Sequence, residues 1–155
     1  MGVVMFFQLL RSAPADTLAV NLPRALKEGW RVMIRGTDRQ GLERLDAELW
    51  LKGGDESFLP HGLAGGPQDG DQPVLLGMGQ PTNGAKVLAL VDGAEAVDGE
   101  IAAMERVWVL FDGNEPARLE AARAQWKQVT AAGHAAQYWS EDGGRWEKKA
   151  ETPGA

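Results

Sequence analysis

Short apolar segments rich in β-branched and aromatic residues alternate along this chain with segments of helical period. That alternation restricts the fold more than any other feature. Val3–Leu10 reads as a buried strand that stops at Ser12-Ala13-Pro14. Asp16 or Thr17 is expected to cap a following helix, in which Leu18, Leu22, Ala25 and Leu26 recur at helical spacing. Pro23 predicts a kink or a shifted start, because a mid-helix proline removes a hydrogen bond and crowds the preceding turn. Gly29 closes that element, and Trp30–Arg35 is a second strand. Thr37 or Asp38 opens another helix, whose Leu42, Leu45, Leu49 and Trp50 form a face to lay on a sheet.

The alternation resumes after an irregular middle. Residues 53–73 are rich in glycine, proline and aspartate, a loop length that is uncommon in a compact domain and often functional. Val74–Leu76 and Lys86–Val91 are short strands, with a flexible loop expected over Gly77–Gly84. All charges from Asp92 to Glu105 are negative, most simply a solvated face. Val107–Phe111 is a strand, Asp112-Gly113-Asn114 its turn, and Glu115–Ala132 a helix with Leu119, Ala122, Trp126 and Val129 as its apolar stripe. Ala135–Trp139 is a late strand, and Glu141-Asp142-Gly143-Gly144 turns the chain back. Strands alternating with helices predict an α/β fold: a single three-layer Rossmann-like domain with a largely parallel central sheet flanked by helices. The domain is expected over residues 1–150, with 151–155 as a disordered tail.

Composition removes several function classes. The 155 residues include no cysteine, which excludes disulfides, zinc–thiolate sites, iron–sulfur clusters and a cysteine nucleophile. The net charge of -6 argues against a broad grip on phosphate backbones, even though six tryptophans could stack bases. No apolar run approaches the roughly 20 residues of a membrane span, and no signal peptide is legible, so a cytoplasmic address is expected.

A doubly wound sheet raises the question of a nucleotide, and the glycine-rich segments answer poorly. Gly77-Met78-Gly79-Gln80-Pro81-Thr82 lacks the third glycine of a dinucleotide fingerprint and precedes a strand instead of a helix. Gly79–Lys86 departs from a phosphate-binding loop, since Ala85 separates Gly84 from Lys86 and no Ser or Thr follows. The turn after the first strand, Arg11-Ser12-Ala13-Pro14, has no glycine. His61 and His134 have no metal-pair spacing, and Ser57 lies in no nucleophile elbow. No catalytic residue, metal or cofactor is expected; a nucleotide-binding Rossmann-like enzyme of unknown reaction is the alternative.

The last long helix offers more. Arg123 and Lys127 are four apart on one face and Trp126 lies beside both. Spacing alone favours the plainer reading of a core tryptophan between solvated cations. The sharper reading is an aromatic floor with two fixed cations, suited to an acidic peptide with a hydrophobic residue or to a terminal carboxylate.

Several stretches together resemble one family. They are Phe6-Phe7-Gln8-Leu9, Gly29-Trp30-Arg31-Val32, Leu45-Asp46-Ala47-Glu48-Leu49-Trp50, and Glu56-Ser57-Phe58-Leu59-Pro60-His61-Gly62-Leu63-Ala64-Gly65 followed by Gln72-Pro73-Val74. Val107–Asp112, Ala122-Arg123-Ala124-Gln125-Trp126-Lys127 and Gly133-His134 continue the match in order. The chain resembles the chi subunit of bacterial DNA polymerase III holoenzyme over nearly its whole length.

The resemblance implies a small non-catalytic α/β protein of the clamp-loader complex. It would bind the acidic, hydrophobic C-terminal tail of single-stranded DNA-binding protein, join the clamp loader through a psi subunit where one is present, and meet nucleic acid only indirectly. By residue match, Arg123, Trp126 and Lys127 fall on tail-binding positions and Phe58 on an aromatic that walls the same pocket. Phe111 and Leu63 are weaker matches to that pocket. Gly77–Gly84 and Asp92–Glu105 match no family pattern, so no psi-binding surface can be named.

Overall fold

The computed structural model describes residues 2–52, 61–97 and 99–153. Eight strands form one sheet in the order β3-β4-β2-β5-β6-β1-β7-β8. They are β1 (Val3–Leu9), β2 (Val32–Arg35), β3 (Gly62–Leu63), β4 (Val74–Gly77), β5 (Val87–Leu90), β6 (Arg106–Asp112), β7 (Ala135–Ser140) and β8 (Glu147–Thr152). Every pairing is parallel except β7 with β8. The helices are α1 (Pro14–Lys27), α2 (Arg39–Lys52), the single turn α3 (Glu100–Ala103) and α4 (Pro116–Ala131).

Burial follows from the layers. β2, β4 and β5 are buried at every residue, as strands covered on both faces must be. One face packs Phe7, Leu9, Ile34, Leu76 and Trp108 against Leu18 and Leu22 of α1 and Leu42, Leu45 and Leu49 of α2. The other packs Val4, Phe6, Leu88, Val109 and Phe111 against Ile101 of α3 and Leu119, Ala122, Trp126 and Val129 of α4. The three-layer α/β domain read from the alternation is the one observed.

Several local expectations are revised. α1 begins at Pro14, and the Asp16 carboxylate reaches back to accept the Ala13 N–H at 2.8 Å. The helix therefore starts three or four residues earlier than its candidate caps imply. It continues through Pro23, which is exposed, so water can take up the carbonyl that the proline leaves unpaired. Trp50 does not sit in the core: it is 46% exposed and lies against the His61 ring at 4.1 Å. β8 extends through Thr152, which pairs with Ala136. Glu151 and Thr152 thus leave the stretch read as a disordered tail; residues 154–155 lie outside the described residues.

The acidic stretch Asp92–Glu105 is not uniformly solvated. Glu100 forms a two-point ion pair with Arg35 at the end of β2, with both oxygen–nitrogen distances at 2.7 Å. The same guanidinium donates to the Gly79 carbonyl at 3.2 Å and the Glu95 carbonyl at 3.0 Å. Glu100 also accepts the Val97 N–H at 2.7 Å. One arginine thereby ties the 77–84 loop and the acidic segment, both without a family pattern, to the centre of the sheet.

A second carboxylate, this one buried, lies beyond the carboxyl end of β7. Glu141, read from the sequence as part of a turn, is only 5% exposed and accepts hydrogen bonds from the turn after β1. Both glutamates are held below the usual carboxylate range. For Glu100 the hydrogen bonds from Arg35 dominate over burial. For Glu141 burial pushes upward, but the bonds from Ser12, Arg11 and Leu10 together outweigh it. A depressed folded-state pKa stabilises the fold above the unfolded value of about 4.3 and loses that contribution as pH falls through the folded one. Urea midpoints should therefore fall below pH ~4.3, and Glu141→Gln should flatten part of that dependence while lowering stability at neutral pH.

Candidate functional site

α4 begins at Pro116, whose fixed φ suits the first helical position, and Leu119 N–H bonds to the Glu115 carbonyl at 3.0 Å. Ala122, only 2% exposed, lets the helix lie close on the sheet. That contact rolls Trp126 half under the helix and leaves Arg123 and Lys127 exposed on its flank. Trp126 is fixed from below by Phe6, with ring centroids 5.5 Å apart in an edge contact. Tyr138 of β7 stacks on Phe6 at 6.2 Å and meets the Trp126 edge at 5.9 Å. Such offset and edge geometries are the favourable ones for aromatic quadrupoles.

These residues form the wall and floor of a shallow groove of about 380 Å³ between α4 and the β7–β8 edge. It is lined by Gln8, Arg123, Trp126, Lys127, Tyr138 and Ala150. Neither Arg123 nor Lys127 has a hydrogen-bond or ion-pair partner among the described residues. The Tyr138 hydroxyl donates to the Gln8 side-chain carbonyl at 2.8 Å, which uses up its proton and orients the ring. Burial pushes the Tyr138 phenol above its ordinary range, against the opposing pull of Arg123, so it is neutral at physiological pH. The groove therefore offers an apolar aromatic floor with two uncommitted cations at its rim. This is the chemistry of a receptor for a short segment carrying a hydrophobic side chain and negative charge.

Arg123, Trp126 and Lys127 are thus brought together. Phe111 stands behind them: it is 7% exposed on β6 and its ring lies 6.1 Å from Tyr138, supporting the floor without lining the groove. Leu63 is elsewhere. It belongs to β3, at the opposite edge of the sheet, and packs on the α1–α2 face. Phe58 lies outside the described residues. Gln8, Tyr138 and Ala150 are groove residues that sequence reasoning passed over. The alternation in β7, which turns Ala136 and Tyr138 to the same face as Trp126, is the signal that could have found Tyr138.

The buried His61 ring nitrogen lies 3.1 Å from the Asp46 carbonyl, and His134 donates its backbone N–H to Val129 at 3.0 Å. Among the described residues no group of three or more His, Asp or Glu side chains could hold a metal ion, and no helix is long and apolar enough to cross a membrane. Residues 1–137 match a family model described as DNA polymerase III chi subunit, HolC, a span that contains Arg123, Trp126 and Lys127 and ends just before Tyr138. No curated protein matches the chain.

Proposed function

The chain belongs to the DNA polymerase III chi subunit family, an accessory subunit of the replicative polymerase, and from that premise we propose that its α4 groove binds the acidic C-terminal tail of single-stranded DNA-binding protein. In this reading the protein carries no chemistry of its own. It works in the cytoplasm and links the tail to the clamp loader, through a psi subunit where one is present, and nucleic acid is reached only through the bound protein.

The observation that carries the reading is the convergence of Arg123, Trp126 and Lys127 on one groove whose cations are uncommitted. A phenylalanine-type side chain of the tail packs on Trp126 and Tyr138, while Arg123 and Lys127 pair with its carboxylates. The net charge of -6 makes that local basic rim the selective element, since an acidic ligand is repelled by most of the remaining surface.

Titrating an acidic peptide ending in a hydrophobic residue against the protein, with Trp126 fluorescence or calorimetry as readout, tests this. Binding should be micromolar, about 8 kcal/mol. Arg123→Ala and Lys127→Ala should each weaken it roughly tenfold, about 1.4 kcal/mol, and added salt should erode the same increment by screening. Equal affinity for wild type and both variants would show that the tail does not bind in this groove.

A further inference from the structure

The sheet changes winding direction between β1 and β6. From β1 the chain passes through α1 on one face toward the β3 edge; from the adjacent β6 it passes through α4 on the other face toward β8. In open α/β sheets the crevice at the carboxyl ends of such strands is where phosphates bind, on backbone N–H groups at the following helix N-terminus. Here the turn after β1 does present converging donors, although it contains no glycine. The N–H groups of Leu10, Arg11 and Ser12 all point at one oxygen of Glu141, at 2.9, 2.7 and 2.7 Å. The Ser12 hydroxyl donates to the other oxygen at 2.8 Å.

We infer that the turn after β1 is an oxyanion nest whose ligand this chain supplies itself. Glu141, more than a hundred residues away and just beyond β7, holds the place that a phosphate would take and keeps the nest closed to free anions. Four donors directed at one carboxylate that is 5% exposed are more than an ordinary turn requires. They match the concave N–H arrangements that hold phosphate in other proteins. The same contact clasps the β7–β8 corner to the start of α1. The arrangement accounts for a Rossmann-like switch point that does not serve a nucleotide: its anion site is filled from within. The inference is independent of the tail-binding groove, which involves none of these donors.

Glu141→Ala empties the nest, and inorganic phosphate is the probe. In chloride the variant should melt below wild type. Phosphate titrated at constant ionic strength should raise its melting temperature in a saturable way that wild type does not show, and should move the amide resonances of Leu10, Arg11 and Ser12. Adding Ser12→Ala to the variant should weaken that response, because the hydroxyl donor of the nest is lost. Should Glu141→Ala be unfolded in chloride, recovery of the folded fraction in phosphate is the same positive result. A variant whose melting, amide shifts and folded fraction respond to phosphate no more than wild type does would overturn the inference.

Discussion

Arg35→Ala should destabilise the fold by about 3–5 kcal/mol, the cost typical of leaving one member of a buried ion pair uncompensated. Its side chain is 8% exposed and that of Glu100 12%, so water cannot replace the guanidinium. The loss is also distributed: the Gly79 and Glu95 carbonyls and both Glu100 oxygens lose the arginine together, and Glu100 keeps only the Val97 N–H on Oε1. Glu100→Ala should cost less, because Arg35 keeps the two carbonyls. Replacing both residues with Met and Leu should recover most of the stability, as apolar substitutes often do for buried pairs. Urea denaturation of the four proteins checks this. A loss under about 1 kcal/mol for Arg35→Ala would mean that the pair is a surface ornament with the worth of an exposed bridge.

Phe6→Ala should be comparably severe, about 3–5 kcal/mol, because a large core aromatic is exchanged for a cavity. Phe6 is fully buried and backs both Trp126 and Tyr138. Its removal should therefore weaken peptide binding as well, by letting the aromatic floor sink. Lys127→Ala offers the contrast. It sits on the exposed flank of α4, so its stability should stay within about 0.5 kcal/mol of wild type while affinity falls. Measuring stability and peptide affinity for both variants separates a residue that shapes the groove from one that grips the ligand. If Phe6→Ala binds the peptide as well as wild type does, the floor is not part of the recognition.

The elements were legible because their signals are local. Apolar runs of four to eight residues with β-branched character marked β1, β2, β5 and β6, and helical spacing marked α2 and α4. Local signals also erred locally. Asp16 looks like an N-cap but serves Ala13 from inside the first turn, and Trp50 continues a helical face past the point where the sheet covers it. The cations and the tryptophan of the groove were readable too, since residues three and four apart on a helix share a face whatever the rest of the chain does.

What could not be read depends on distant partners. Glu100 and Arg35 are 65 residues apart, and the acidic run around Glu100 gave a solvated face as the economical reading. Glu141 stands in a turn-forming Glu-Asp-Gly-Gly sequence, and its donors are 129 to 131 residues away. Tyr138 and Gln8 are 130 residues apart and meet only because β7 lies beside β1. Leu63 is a case of its own: β3 ends up at the far edge of the sheet, away from α4, and no pattern within its motif indicates that edge.

By itself, then, the sequence determined the α/β class, the longer strands and helices though not β3, α3 or β8, the family resemblance and the helical face carrying Arg123, Trp126 and Lys127. Each of these rests on periodicity or motif within a few turns of chain. Only the tertiary structure decided which strand lies beside which. With that it decided that Tyr138 and Gln8 complete a groove, that Leu63 lies outside it, that Glu141 becomes a buried ligand of the backbone and that Glu100 pairs with the buried Arg35. Strand order is a matter of long-range packing, and no local pattern in the residues encodes it.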